Sequence, residues 1–125
     1  MFISRGIHFE IHVFDADRAS KFYADTFGWK FDKWDGPMEY WLISTGEAAE
    51  PGINGGMMRR RDPMGNVYNT VAISSIDKSI AQSTAAGGTI VVPKMPIPGV
   101  GWLAYFKDNE GNIFGVMQAD SSASM

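Results

Sequence analysis

Residues 8–28 read HFEIHVFDADRASKFYADTFG, and the spacing of their apolar side chains changes once along the run. From His8 to Val13, His8, Glu10 and His12 alternate with Phe9, Ile11 and Val13, the period of a strand with one covered face. Beyond Asp15 the spacing lengthens to that of a helix, with Ala19, Phe22, Tyr23, Thr26 and Phe27 on one stripe. Asp15 or Asp17 can cap its start, and Gly28 stands where a left-handed residue would stop it. The stretch predicts a strand followed by an amphipathic helix.

Three aromatic or apolar runs come next, WKFDKW at 29–34, EYWLIS at 39–44 and INGGMM at 53–58, with DGP and TGEAAEPG between them. Turn residues bounding short β-prone runs predict three strands. The order then recurs. NTVAISS at 69–75 alternates, DKSIAQSTAAGG at 77–88 has an Asp to cap a helix and glycines to end it, and TIVVPK, GWLAYFK and IFGVMQ follow. Asp17 and Asp77 are sixty residues apart, as are Gly28 and Gly88. DPMGN at 62–66 suits a type I turn joining the halves, and DNEG at 108–111 has Asp and Gly in the same places. Both read as turns, since neither has the acidic ligand count of a calcium loop.

The expected fold class is α+β. Tandem βαβββ modules, about 6–60 and 67–119, form a curved eight-stranded sheet around a cleft in a single domain of residues 1–120, with a flexible tail at 121–125. A helix covers one face of each four-stranded set, and the open face is the kind of concavity in which small ligands bind. Phe9, Ile11 and Val13 then face the helix, while His8, Glu10 and His12 face the cleft. Trp29, Phe22 and Phe27 are assigned to the core.

Bulk properties narrow the function. With 125 residues, 45% hydrophobic and 20% charged, the chain is an ordinary globular domain. A net charge of −3 with interspersed signs leaves no footprint for nucleic acid or an anionic membrane. The basic run Arg59 to Arg61 reads as a solvated strand end rather than an anion clamp. Without cysteine there is no disulfide, thiolate metal site or Cys nucleophile. No signal peptide or membrane span is legible, so the expected location is cytoplasmic.

The opening stretch through Phe31, together with AAGGTIVVP and GVGWLAYFKDNEGNIFGVMQ, resembles the vicinal oxygen chelate superfamily, which includes glyoxalase I, extradiol dioxygenases and the bleomycin and fosfomycin resistance proteins. The FY…FGW element and the D-x-x-G-N turn before the last strand carry the resemblance, which covers nearly all of residues 7 to 118. It implies a cupped eight-stranded sheet, usually a homodimer or a close pairing of modules, and in the enzymes a divalent metal held by the first and last strands of each module.

Set against that pattern, His8 matches the first-strand ligand position. Its counterpart in the second module is Thr70, or Tyr68 by the sixty-residue repeat. Gly115 stands where a ligand Glu would follow the last turn, and the strand at 53–58 offers only Asn54. His8 is thus the sole metal position retained, and no cofactor is assigned. Glu10 and His12 do not complete the set: strand residues two apart lie about 6.6 Å from each other with parallel side chains, so one strand cannot converge three ligands on an ion.

Two readings of the stripe stand. In one it is a wetted sheet face with Glu10 satisfied by its flanking histidines. In the other His8, Glu10, His12 and Thr70, with Tyr40, Trp102 and Tyr105 as wall, line a ligand pocket, His12 taking the place of a substrate-contacting Arg in glyoxalase-like relatives. His8 and Glu10 are also the candidates for metal-free acid and base work. The run 91–101, rich in Pro and Gly, reads as a hairpin loop or as the rim of the cleft. The expected function is small-molecule binding by a member lacking the metal centre. The alternative is a metal-dependent lyase, isomerase or dioxygenase of the glyoxalase type.

Overall fold

The computed structural model describes residues 4–60 and 67–124. The turn expected at 62–66 lies outside them. Among the described residues, eight strands and two helices follow in the expected order: β1 (Ser4–Val13), α1 (Ala16–Phe27), β2 (Lys30–Lys33), β3 (Trp41–Ser44), β4 (Gly55–Arg59), β5 (Val67–Ile73), α2 (Ile76–Ala85), β6 (Thr89–Ile97), β7 (Gly101–Lys107) and β8 (Ile113–Ala119). They divide into two compact units, one of residues 8–60 and 67–68 and the other of residues 4–7 and 69–124.

In the first unit the strand order is β2-β3-β4-β1. β1 runs parallel to β4 with Phe9 beside Gly55, Glu10 beside Gly56 and Ile11 beside Met57, while β3 pairs antiparallel with both β2 and β4. Alternation decides the rest. Ile11, Ala16, Ile43 and Met57 are buried together, with Phe9, Val13, Ala19, Tyr23, Trp29, Phe31 and Trp41 packed around them. The odd residues of β1 therefore face α1, as the sequence requires, and His8, Glu10 and His12 point the other way.

Helix α1 is capped by Asp15, whose carboxylate accepts from Arg18 N at 3.0 Å; Asp17 sits in the first turn. Gly28, at φ 75°, ends it with its N–H bonded to Ala24 O. The assignment of Phe22 and Phe27 to the core is corrected: they are 59% and 60% exposed. Over twelve residues only Ala16, Ala19 and Tyr23 reach the sheet, so the outer positions of the stripe flank Tyr23 and Trp29 edgewise instead.

In the second unit the order is β5-β8-β7-β6. β5 runs parallel to β8, and β7 is antiparallel to both neighbours. Ile73, Ile76, Ala104 and Val116 form the core, with Val71, Ile80, Trp102 and Phe106 packed on it. The expected Asp cap of α2 is Ser75, which accepts from Lys78 N, and Asp77 is its first-turn acid. Gly87, at φ 103°, rather than Gly88 takes the positive φ after the helix.

Two loop expectations change. The run 91–101 is not a long loop: β6 continues to Ile97, shifting register around Val92 and Met95, and only residues 98–100 turn. Pro93 and Pro96 are tolerated because β6 ends the strand order. Nor do residues 121–123 hang free. Asp120 Oδ1 accepts from Ser122, Ala123 N bonds Asp120 O, Gly99 N bonds Ala123 O, and Ala123 is 4% exposed. DNEG does turn as expected, with Asp108 Oδ1 accepting from Glu110 N and Asn112 N.

Candidate functional site

β1 presents His8, Glu10 and His12 on the face away from α1, and the structure links them through a fourth residue. Tyr40, just ahead of β3, donates its hydroxyl to Glu10 Oε2 at 2.9 Å and meets His8 Nε2 at 2.9 Å. The other carboxylate oxygen of Glu10 lies 2.7 Å from His12 Nε2. The result is a continuous line, His8 to Tyr40 to Glu10 to His12. Glu10 and His12 are buried, at 5% and 1%, whereas His8 and Tyr40 keep partial exposure. A buried carboxylate is tolerable only with such partners.

Gly56 makes room for Tyr40. It is the Cα partner of Glu10, and a Cβ there would overlap the tyrosine ring. His8 and Tyr40 rings lie nearly parallel, 6.5 Å apart, and Trp34 meets Tyr40 edge-on at 6.4 Å. Deeper in, His12 packs edge to face on Tyr68 with centroids 4.6 Å apart. Burial holds the His8 imidazole below its usual pKa, the Glu10 charge opposing this only in part.

Arg60 departs from the solvated strand end that the basic run predicts. Arg59 does pair at the surface with Glu39, but Arg60 is half-buried, donates from Nη2 to His12 O at 3.2 Å and lays its guanidinium over Phe14 at 4.3 Å. It continues the stripe, because Arg59 is the Cα partner of Val13 and the next residue turns to His12's face. That alternation was the available signal. Gly56 also had one, since glycine inside a strand marks close approach of another group.

The remaining candidates lie in the second unit. Thr70 and Tyr105 both have Gly115 as Cα partner, and a Cβ on Gly115 would lie 3.4 Å from the Thr70 hydroxyl and 3.2 Å from the Tyr105 ring. Both are buried, at 4% and 1%. Trp102 is corrected. It has the opposite parity on β7, packs toward α2, donates from Nε1 to Asp120 and lies under Lys94, so it is not part of the face that carries Thr70 and Tyr105.

The donor set does not fit the superfamily's metal. Among the described residues no three His, Cys, Asp or Glu side chains converge. The last-strand positions beside Glu10 and Thr70 are Gly56 and Gly115, Asn54 is engaged with Thr45 N, and the Glu10 carboxylate binds His12 and Tyr40. His8 alone has an imidazole edge to offer, and one ligand does not hold a transition metal against water.

Comparison with known proteins agrees with this architecture. Residues 5–46 match the family described as bleomycin resistance protein-like N-terminal. Proteins named "Putative glyoxylase CFP32" in Mycobacterium tuberculosis and Mycobacterium bovis are 28% identical over 123 residues, covering 89% of this chain. The chain spans 44% of the length of those relatives. Methylmalonyl-CoA epimerase from Mycobacterium tuberculosis superposes with a TM-score of 0.66 at 14% identity, over 94% of this chain and 89% of that one. The Streptomyces coelicolor methylmalonyl-CoA epimerase in complex with 2-nitronate-propionyl-CoA gives 0.64 at 14% identity, over 98% and 99%. Identities this low carry the fold, not the ligand. No helix among the described residues is long and apolar enough to cross a membrane.

Proposed function

We propose that the chain is a member of the vicinal oxygen chelate superfamily, and within it a small-molecule-binding protein that works without the superfamily's metal centre. One observation carries this reading. The carboxylate nearest the retained histidine is spent on His12 and Tyr40, and the Tyr40 ring fills the space that a ligand side chain at Gly56 would need. A face organised in this way is preorganised for a neutral molecule against His8 and Tyr40, with Glu10 and His12 as the buried support behind them.

In this reading His8 and Tyr40 touch the ligand, and aromatic surface from Tyr40 and Trp34 supplies apolar area beside the polar edge. A thermal-shift screen of small metabolites and drugs tests it. Hits are expected to lose their shift in His8→Ala and Tyr40→Phe and to keep it in Thr45→Ala, a loop residue bonded to Asn54. Equal shifts in all three variants would remove this face as the site.

The metal-dependent alternative rests on the position of His8. Elemental analysis of protein purified without chelator decides it. Near-stoichiometric zinc, iron, nickel or manganese that disappears in His8→Ala would overturn the metal-free reading.

A further inference from the structure

The line from His8 to His12 has a direction that hydrogen counting reveals. A carboxylate only accepts, so His12 Nε2 donates to one oxygen of Glu10 and the Tyr40 hydroxyl donates to the other. A tyrosine hydroxyl has one hydrogen, and here it is committed to Glu10. The contact between Tyr40 Oη and His8 Nε2, 2.9 Å, must therefore be supplied with its hydrogen by the imidazole. In the neutral ring that leaves Nδ1 as a bare lone pair.

We propose that Glu10, acting through Tyr40, locks His8 as the Nε2–H tautomer, and that the site selects ligands that donate a hydrogen bond from O–H or N–H to His8 Nδ1 while rejecting carboxylates and other anions. The inference rests on the binding reading above and names the ligand class for that site. Glu10 is a positioning residue here, since it acts on the ligand only through the proton that it assigns to His8 by way of Tyr40.

Electrostatics points the same way. Among the described residues, the titratable and charged groups on this face of the unit include Glu10 and His12 on β1, Tyr40 ahead of β3, Arg60 after β4 and Tyr68 on β5. Of these, Arg60 donates to the His12 carbonyl and stacks on Phe14, whereas the Glu10 carboxylate stands one hydroxyl away from His8. An approaching anion meets a lone pair with a negative charge behind it. Burial also disfavours the imidazolium that would reverse this polarity.

A single isosteric change should invert the selection. In Glu10→Gln the amide oxygen still accepts from His12, but its NH2 group donates to Tyr40 Oη. Tyr40 then turns its own hydrogen to His8 Nε2, and the imidazole hydrogen moves to Nδ1, making that edge a donor. Tyr40→Phe removes the lock altogether and leaves the tautomers free.

The experiment is two-dimensional 15N–1H NMR of the histidine rings, first on the free protein and then with phenol, anisole and benzoate as probes. The free wild type is expected to show His8 as Nε2–H, and the Glu10→Gln protein as Nδ1–H. Phenol should bind the wild type roughly tenfold tighter than anisole, as one neutral hydrogen bond allows, with benzoate weakest. In Glu10→Gln benzoate should overtake phenol, and in Tyr40→Phe phenol and anisole should converge to within about twofold. A wild-type Nδ1–H tautomer, or benzoate preferred while His8 is neutral, overturns the inference and leaves the binding reading standing. Probes that perturb no His8 resonance overturn both.

Discussion

Gly56 lies beside Glu10 as its Cα partner across the parallel pair of β1 and β4, and the place of its missing side chain is taken by the ring of Tyr40. In the other unit Gly115 is the Cα partner of both Thr70 and Tyr105, and a Cβ there would stand 3.2 Å from the Tyr105 ring, in close contact rather than overlap. Gly56→Ala should push the Tyr40 ring outward. Because the ring can swing toward solvent, the expected loss of stability is only about 1 kcal/mol, at the low end for overpacking, but the contacts to His8 and Glu10 should break. Urea denaturation and the His8 ring resonances read the two effects separately.

The pair Glu10 and His12 is buried on both sides, and His12 Nδ1 has no partner among the described residues. His12→Ala should cost about 3 kcal/mol, since it takes a donor from a buried carboxylate and opens a void. Glu10→Gln keeps the shape and should cost about 1 kcal/mol. Denaturant midpoints at neutral pH compare them. Equal, small losses would mean that water reaches the pair and that it is a wetted face rather than a support.

The period change at Asp15 was enough to read β1, α1 and the facing of Phe9, Ile11 and Val13, because alternation and helical spacing are local. The repeat was legible through Asp17 and Asp77 although neither is the cap; each holds the second helical position behind Asp15 and Ser75. What failed to show was parity near strand ends. Tyr40 precedes its short strand and Trp102 follows Gly101, so nothing local said that one faces the polar stripe and the other α2. Arg60 was hidden by its neighbours, which made three arginines look like one solvated cluster. The bridge through Tyr40 joins positions thirty residues apart, and no pattern within β1 announces it.

The two helix starts give a direct check of which acid caps. Asp15→Ala should lower stability by about 1 kcal/mol, because Arg18 N loses its acceptor. Asp17→Ala removes only a favourable charge near the helix start and should cost about 0.3 kcal/mol. Ser75→Ala should behave like Asp15→Ala. Comparable losses for Asp15→Ala and Asp17→Ala would refute the assignment of the cap.

Acid should weaken the fold in the range where histidine titrates. Burial lowers the His8 pKa below 6.5, its value in an exposed chain, so between 6.5 and the lowered value the unfolded chain binds more protons than the folded one. Stability is therefore complete above 6.5 and declines as the pH falls through the folded value. Desolvation of the imidazolium is the largest cause of the lowered value, so it drives the decline. His8→Gln, which cannot titrate, should flatten the pH dependence of the urea midpoint between pH 7 and 5. An unchanged slope in His8→Gln would place the acid sensitivity elsewhere.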